Sequence, residues 1–153
     1  MSKRPLIEEH VTGSESDTVK LARSFAGCLE IGDILFLSGG LGSGKTVFVK
    51  GLAAGLGINP DDVSSPTFSL INEYKGAKFS LYHVDLYRVD KAGALDLGLE
   101  ELGATDGILA IEWPEHLAYN LPVTVSLEIQ TLDEATRKIT IRRNLSLQQE
   151  RKV

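Results

Sequence analysis

Two apolar runs lack any polar alternation, residues 33–37 (Asp33-Ile34-Leu35-Phe36-Leu37) and 108–111 (Ile108-Leu109-Ala110-Ile111), the pattern of strands buried on both faces. Helical periodicity comes before and after the first. Val19, Ala22, Ala26 and Leu29, with Phe25 beside them, share one face of a helix opened by the capping-box-like Ser14-Glu15-Ser16-Asp17, with Gly32 as its expected stop. Residues 46–56 read as a second helix, closed by Gly57 and Pro60. The mixed stretch 6–11 predicts an edge strand. Residues 68–74 and 78–84 predict a hairpin around Lys75-Gly76-Ala77, and residues 123–129 and 137–141 a second antiparallel pair around Asp133-Glu134-Ala135-Thr136. Leu95, Leu99 and Leu102 predict a helix over 92–102, and the polar stretch 144–153 a loose tail. Without repeat or linker, residues 1–153 are expected to form one α/β domain, a mixed central sheet flanked by helices.

Between the first buried run and the second helix stands Gly39-Gly40-Leu41-Gly42-Ser43-Gly44-Lys45-Thr46, which matches the phosphate-loop pattern G-x-x-x-x-G-K-[ST]. By average residue usage the four fixed positions arise by chance in roughly one chain in a few hundred of this length. Here the strand and helix that the pattern requires are also in place. The backbone N–H groups of Gly40, Leu41, Gly42, Ser43 and Gly44 are expected to cradle phosphate at the positive end of the helix. Lys45 is expected to reach the β- and γ-phosphates and the Thr46 hydroxyl to ligate Mg²⁺. Gly51 and Gly55 each cost about 1 kcal/mol relative to Ala in a helix interior, which predicts close packing against the sheet or a short helix.

Candidate chemistry elsewhere is placed relative to that loop. In open α/β sheets ligands sit beyond the carboxyl ends of the strands. Glu112 closes the second buried run and is positioned to orient water or a metal. Asp85 leaves another strand in His83-Val84-Asp85-Leu86-Tyr87-Arg88, where it can hold Mg²⁺ through water while Arg88 answers phosphate charge, or the two can form a strand-end ion pair. Thr67, in Ser65-Pro66-Thr67-Phe68, lies twenty-two residues after Lys45, a distance that lets a loop return to the γ-phosphate in the manner of a switch segment; a Ser-Pro turn starting a strand is the plain alternative. Thr12, Ser14, Ser16 and Thr18 read first as caps and turn formers, and second as hydroxyls near a nucleotide's base or ribose. Trp113 reads as a core or rim aromatic.

Composition adds exclusions. The 153 residues are 42% hydrophobic and 24% charged, an ordinary globular balance. One cysteine, Cys28, excludes an intramolecular disulfide, and three dispersed histidines form no zinc pattern, so a reducing, cytoplasmic setting is expected. No apolar run reaches membrane-spanning length. A net charge of −5 argues against a protein that grips nucleic acid unaided; the basic residues from Arg137 to Lys152 ordinarily mean a solvated strand face and tail.

Taken together, the loop ending in Gly44-Lys45-Thr46, then Ser65-Pro66-Thr67-Phe68, His83-Val84-Asp85-Leu86-Tyr87-Arg88 and Ile111-Glu112-Trp113-Pro114-Glu115 resemble the TsaE family, formerly YjeE, over nearly the whole chain. That family often carries Asp where this chain has Gly40 and Ala where it has Ser43, side chains that the backbone cradle does not need. The resemblance implies a P-loop NTPase-like domain, and a bacterial ATPase using ATP and Mg²⁺ that supports threonylcarbamoyl modification of adenosine beside the tRNA anticodon together with TsaD and TsaB, meeting tRNA only indirectly. It implies that Lys45 contacts phosphate, that Thr46 and Glu112 lie at Mg²⁺ with Asp85 on the same catalytic surface, and that residues 65–68 form a switch-like loop. It also implies that Thr18 and Arg137 lie toward the base. The guanine-specific N-K-x-D signature is absent from the chain, which favours ATP over GTP.

Two other classes fit the phosphate loop alone. A small-molecule kinase would need an acceptor pocket, and little chain is left to build one. A nucleotide-gated binding module would hold ATP with negligible turnover.

Overall fold

The computed structural model describes residues 6–66, 70–90, 98–144 and Leu147. Its elements in chain order are β1 (Leu6–Thr12), α1 (Glu15–Ala26), β2 (Ile34–Gly39), α2 (Lys45–Gly55), β3 (Ile71–Lys75), β4 (Ser80–Asp85), β5 (Gly107–Glu112), β6 (Val125–Thr131) and β7 (Arg137–Arg143), with short 3-10 turns between several of them. The strands form one sheet in the order β1-β7-β6-β2-β5-β4-β3. The four middle strands run parallel, and β1, β7 and β3 are antiparallel to their neighbours.

The unalternated runs become β2 and β5 at the centre, where both faces of each strand are covered. Leu35, Leu37, Ile108 and Ala110 face the core under α1 and α2, with Phe48 and Leu52 from α2 above them. Ile34, Leu109 and Ile111 point the other way, into a second core with Tyr82, Val84, Leu86, Leu99, Leu117 and Leu121. Both α-helices thus cover one face. Among the described residues, irregular chain and 3-10 turns cover the other face.

α1 opens as expected, with the Asp17 N–H donating to Ser14 Oγ at 3.1 Å, while the Asp17 carboxylate accepts from the Gly13 N–H. It ends at Gly27 rather than at Gly32. The turn tightens as the N–H groups of Gly27, Cys28 and Leu29 reach back three residues, and Asp33 takes the Glu30 N–H at 2.8 Å. Gly32, at φ +93°, then redirects the chain into β2.

Gly51 and Gly55 face α1, not the sheet. A Cβ on Gly51 would stand 2.5 Å from both Ala22 Cβ and the Val19 carbonyl oxygen, and one on Gly55 would stand 2.6 Å from Ala26 Cβ and the Arg23 carbonyl oxygen. Two small residues four apart on each helix let the backbones approach this closely.

Of the helix expected over 92–102, residues 92–97 lie outside the described residues; Leu99–Glu101 is a 3-10 turn that buries Leu99. Most of the 144–153 tail also lies outside. No helix among the described residues is long and apolar enough to cross a membrane.

Candidate functional site

The loop between β2 and α2 has the backbone its glycines predict. Gly42 at φ +75° and Gly44 at φ +107° occupy the left-handed region that L side chains avoid, and no side chain caps α2. The first N–H groups of this eleven-residue helix therefore face the loop with the dipole behind them. Donor chemistry and shape both suit a phosphate.

Lys45 is 5% exposed, and its ammonium donates to the carbonyls of Gly39 and Gly40 at 2.6 and 2.9 Å while lying 4.0 Å from the Trp113 ring centroid. Burial lowers its pKa; Glu112, Glu115 and Asp85 pull against that shift. The cation is desolvated in advance of any anion. Trp113 itself sits at φ +60°, an uncommon conformation for a bulky residue, and packs against Tyr87 with ring centroids 4.9 Å apart and planes tilted by 45°. It is a rim aromatic of this site.

Parallel register brings the acids together. Asp85 at the end of β4 pairs directly with Glu112 at the end of β5, and both project toward α2. The Thr46 hydroxyl donates to Glu112 Oε2 at 3.0 Å, which leaves its oxygen lone pairs to accept, one from Ser65 and one for a cation. Ser65 Oγ lies 2.9 Å from Thr46 Oγ1; with the Thr46 proton committed to Glu112, Ser65 is the donor. Asp85 is pushed above the usual carboxylate range by burial first and by the Glu112 charge in addition, against the Tyr87 N–H, His83 and Lys45. Among the described residues no three His, Cys, Asp or Glu side chains form a metal cage. A hydroxyl with neighbouring carboxylates is nonetheless the donor set of a Mg²⁺ shared with phosphate and water.

Two cavities meet over the loop. One, about 300 Å³, lies against Gly44, Lys45, Thr46, Asp85, Glu112 and Trp113. The other, about 320 Å³, lies against Ser14, Thr18, Ala135 and Arg137, and the two share Glu15, Gly42, Ser43, Gly44 and Val47. Thr18 is buried, with its hydroxyl 2.8 Å from that of Thr12. Arg137, from the start of β7, donates through Nε to the Ser43 carbonyl at 3.0 Å and through Nη1 to the carbonyls of Asp133 and Thr136 at 2.8 and 3.1 Å. It clamps the β6–β7 turn onto the phosphate loop.

The structure thus gathers Leu41, Gly42, Ser43, Gly44, Lys45, Thr46, Asp85 and Glu112 at one cavity, and Thr18 and Arg137 at its neighbour, while Gly40 is joined to the first only through its carbonyl, which accepts from Lys45. Thr67 lies outside the described residues. Arg88 is exposed beside a third cavity with Asp85, and among the described residues it forms no ion pair with it. Sequence reasoning passed over His83, which is fully buried with Nε2 2.5 Å from Glu112 Oε2. The available signal was its alternation with Asp85, which puts both on the same face of one strand.

A parallel-centred sheet whose phosphate loop joins a central strand to a helix, with acids at the neighbouring strand ends, defines a P-loop NTPase-like fold. The crystal structure of YdiB from Bacillus subtilis superimposes with a TM-score of 0.73 at 31% identity, covering 99% of this chain and 97% of that one. The family model for the threonylcarbamoyl adenosine biosynthesis protein TsaE matches residues 12–141. Proteins named tRNA threonylcarbamoyladenosine biosynthesis protein TsaE are 45% identical in Aquifex aeolicus, over 90% of this chain and 98% of the relative, and 40% identical in Treponema pallidum, over 86% and 97%. The chain belongs to the TsaE family.

Proposed function

We propose that this chain is a Mg²⁺-dependent ATPase that works with TsaD and TsaB, in the cytoplasm, to support threonylcarbamoyl modification of tRNA adenosine. The observation that carries the reading is the Thr46–Glu112 hydrogen bond at the mouth of the phosphate loop, with Asp85 paired in register beside it. Membership in the TsaE family supports the tRNA-modification role.

In this reading the amides of residues 40–44 bind the phosphates, and Lys45 exchanges its loop carbonyls for phosphate oxygens. Thr46 holds the metal directly, while Asp85 and Glu112 orient it and the attacking water. A bound Mg²⁺ would supply charge neutralisation on the transferring phosphoryl group. Thr18 and Arg137 line the base side, and Thr67 belongs to the switch-like segment. Residues 1–153 act as one domain. At the phosphate end the site opens sideways into a cavity of about 350 Å³ against Leu41, Ser65, Asp85, Tyr87 and Arg88, and Leu41 and Tyr87 are exposed there. That opening leaves room for a group supplied in trans, so turnover is slow alone and faster with the partners.

Phosphate release measured with ATP and Mg²⁺, with and without TsaD, TsaB and tRNA, tests the reading. Stimulation by the partners supports it, and absence of turnover in every mixture refutes it.

A further inference from the structure

His83 has no place in the chemistry described so far, yet it is buried at 0% exposure on the site's own face of the sheet. In β4 the side chains of Leu81, His83 and Asp85 point toward α2, while Tyr82 and Val84 enter the opposite core. Directly across on β5 its register partner is Ala110, and Glu112 lies two residues further along the same face. The methyl group of Ala110 leaves the imidazole space to lean along the strand direction toward Glu112. A long side chain reaches such a diagonal neighbour without leaving the sheet.

The contact is specific in its atoms. Nε2 lies 2.5 Å from Glu112 Oε2, the same oxygen that accepts from the Thr46 hydroxyl. Nδ1 is buried and has no hydrogen-bond partner among the described residues. A buried N–H without an acceptor is costly, whereas a bare ring nitrogen keeps only an unused lone pair, so the fitting tautomer carries its proton on Nε2 and donates it to Glu112. Two donors then fix Oε2 from two directions, one on β4 and one on α2. Among the described residues Glu112 Oε1 accepts no hydrogen bond, and Glu112 lines the phosphate cavity.

We propose that His83 is a positioning residue: by donating Nε2–H to Glu112 Oε2 it holds that carboxylate in the orientation that aligns water or metal for phosphoryl transfer. The inference rests on the hydrolytic reading above. Partners that orient a ligating or water-positioning group typically cost ~10- to 100-fold in metal affinity or activity when removed.

The test compares wild type, His83→Leu, His83→Gln, Glu112→Gln and His83→Leu/Glu112→Gln, each checked for thermal unfolding and nucleotide affinity and then assayed for phosphate release with the partner proteins. His83→Leu should lower kcat ~10- to 100-fold, with nucleotide affinity changed far less. His83→Gln, which presents an amide N–H at similar reach, should recover most of that loss. The double variant should be no slower than Glu112→Gln, because the histidine acts only through the glutamate. In the nucleotide-free protein, ¹⁵N imidazole spectra should show His83 carrying a proton on Nε2, with that Nε2–H proton shifting in Glu112→Gln. A folded His83→Leu chain with wild-type kcat, a double variant slower than Glu112→Gln, or an Nε2 that carries no proton overturns the role of His83. A wild type without turnover overturns the hydrolytic reading and this role with it. The ¹⁵N spectra then still show whether the His83–Glu112 bond exists, which keeps the two failures apart.

Discussion

Thr46 Oγ1 donates to Glu112 Oε2 over 3.0 Å and so ties the first turn of α2 to the last residue of β5, sixty-six positions apart in sequence. The metal-ligand candidate and the strand-end acid are thus already in contact without nucleotide, and changes to either should be felt at the other. Thr46→Ala removes the hydroxyl and leaves the backbone cradle intact. It should weaken Mg²⁺-ATP about 10-fold or more while metal-free ATP weakens much less, in line with the loss of a hydrogen bond or ligand contact to a charged group. Calorimetric titrations with and without Mg²⁺ check this, and equal losses would remove Thr46 from the metal.

Lys45 gives a pH dependence. Burial depresses its pKa in the nucleotide-free chain, and phosphate beside it restores the ammonium, so the bound form has the higher pKa. Binding is then strongest below the depressed value and weakens as pH rises from there toward the ordinary lysine range, with proton uptake in that window. Titrations in buffers of different ionisation enthalpy read the uptake. Lys45→Ala should abolish both the uptake and most of the affinity, ~10- to 100-fold for a charged hydrogen-bond donor, while the fold survives.

The helix glycines oppose two effects of known size. Intrinsic propensity predicts that Gly51→Ala or Gly55→Ala gains about 1 kcal/mol. The new Cβ, however, would stand 2.5–2.6 Å from backbone carbonyls and alanine methyl groups of α1, which cannot rotate away. Overpacking of that kind costs about 1–3 kcal/mol, so each substitution should be net destabilising and lower the urea midpoint.

Arg137→Ala should loosen the phosphate loop by freeing the Ser43 carbonyl and the β6–β7 turn from one guanidinium. Nucleotide affinity should fall ~10-fold with the sheet intact. Arg137→Lys should not restore it, because a single ammonium lacks the planar fork that serves several carbonyls at once. Full rescue by lysine would reduce the interaction to net charge.

The parts of the site legible in the sequence are those whose chemistry is contiguous or carried by an uninterrupted pattern. Gly39 to Thr46 match the loop pattern in consecutive residues, and Glu112 follows an unalternated apolar run that reads as a buried strand. Asp85 was legible as a strand end, but its pairing with Glu112 needed the parallel register, which no local pattern encodes. His83 was hidden because a histidine inside a strand reads as an ordinary core residue until its neighbour across the sheet is known. The stop at Gly27 escaped for a similar reason. Leu29 continues the helical period and is buried, but it is held by a tightened turn and by Asp33, not by another α-helical turn.

Steady-state phosphate release by wild type and Glu112→Gln, each alone and with TsaD and TsaB, tests the central claim most directly. The amide keeps size and packing and removes the charge proposed to orient metal and water, so turnover should fall far more than ATP affinity. Wild type should be slow alone and stimulated by the partners on the order of a thousandfold, the scale of charge supplied in trans to a phosphoryl-transfer site, and Glu112→Gln should stay slow in both conditions. A variant stimulated as strongly as wild type would contradict the assignment of Glu112, and a wild type indifferent to the partners would contradict the account of how this site is completed.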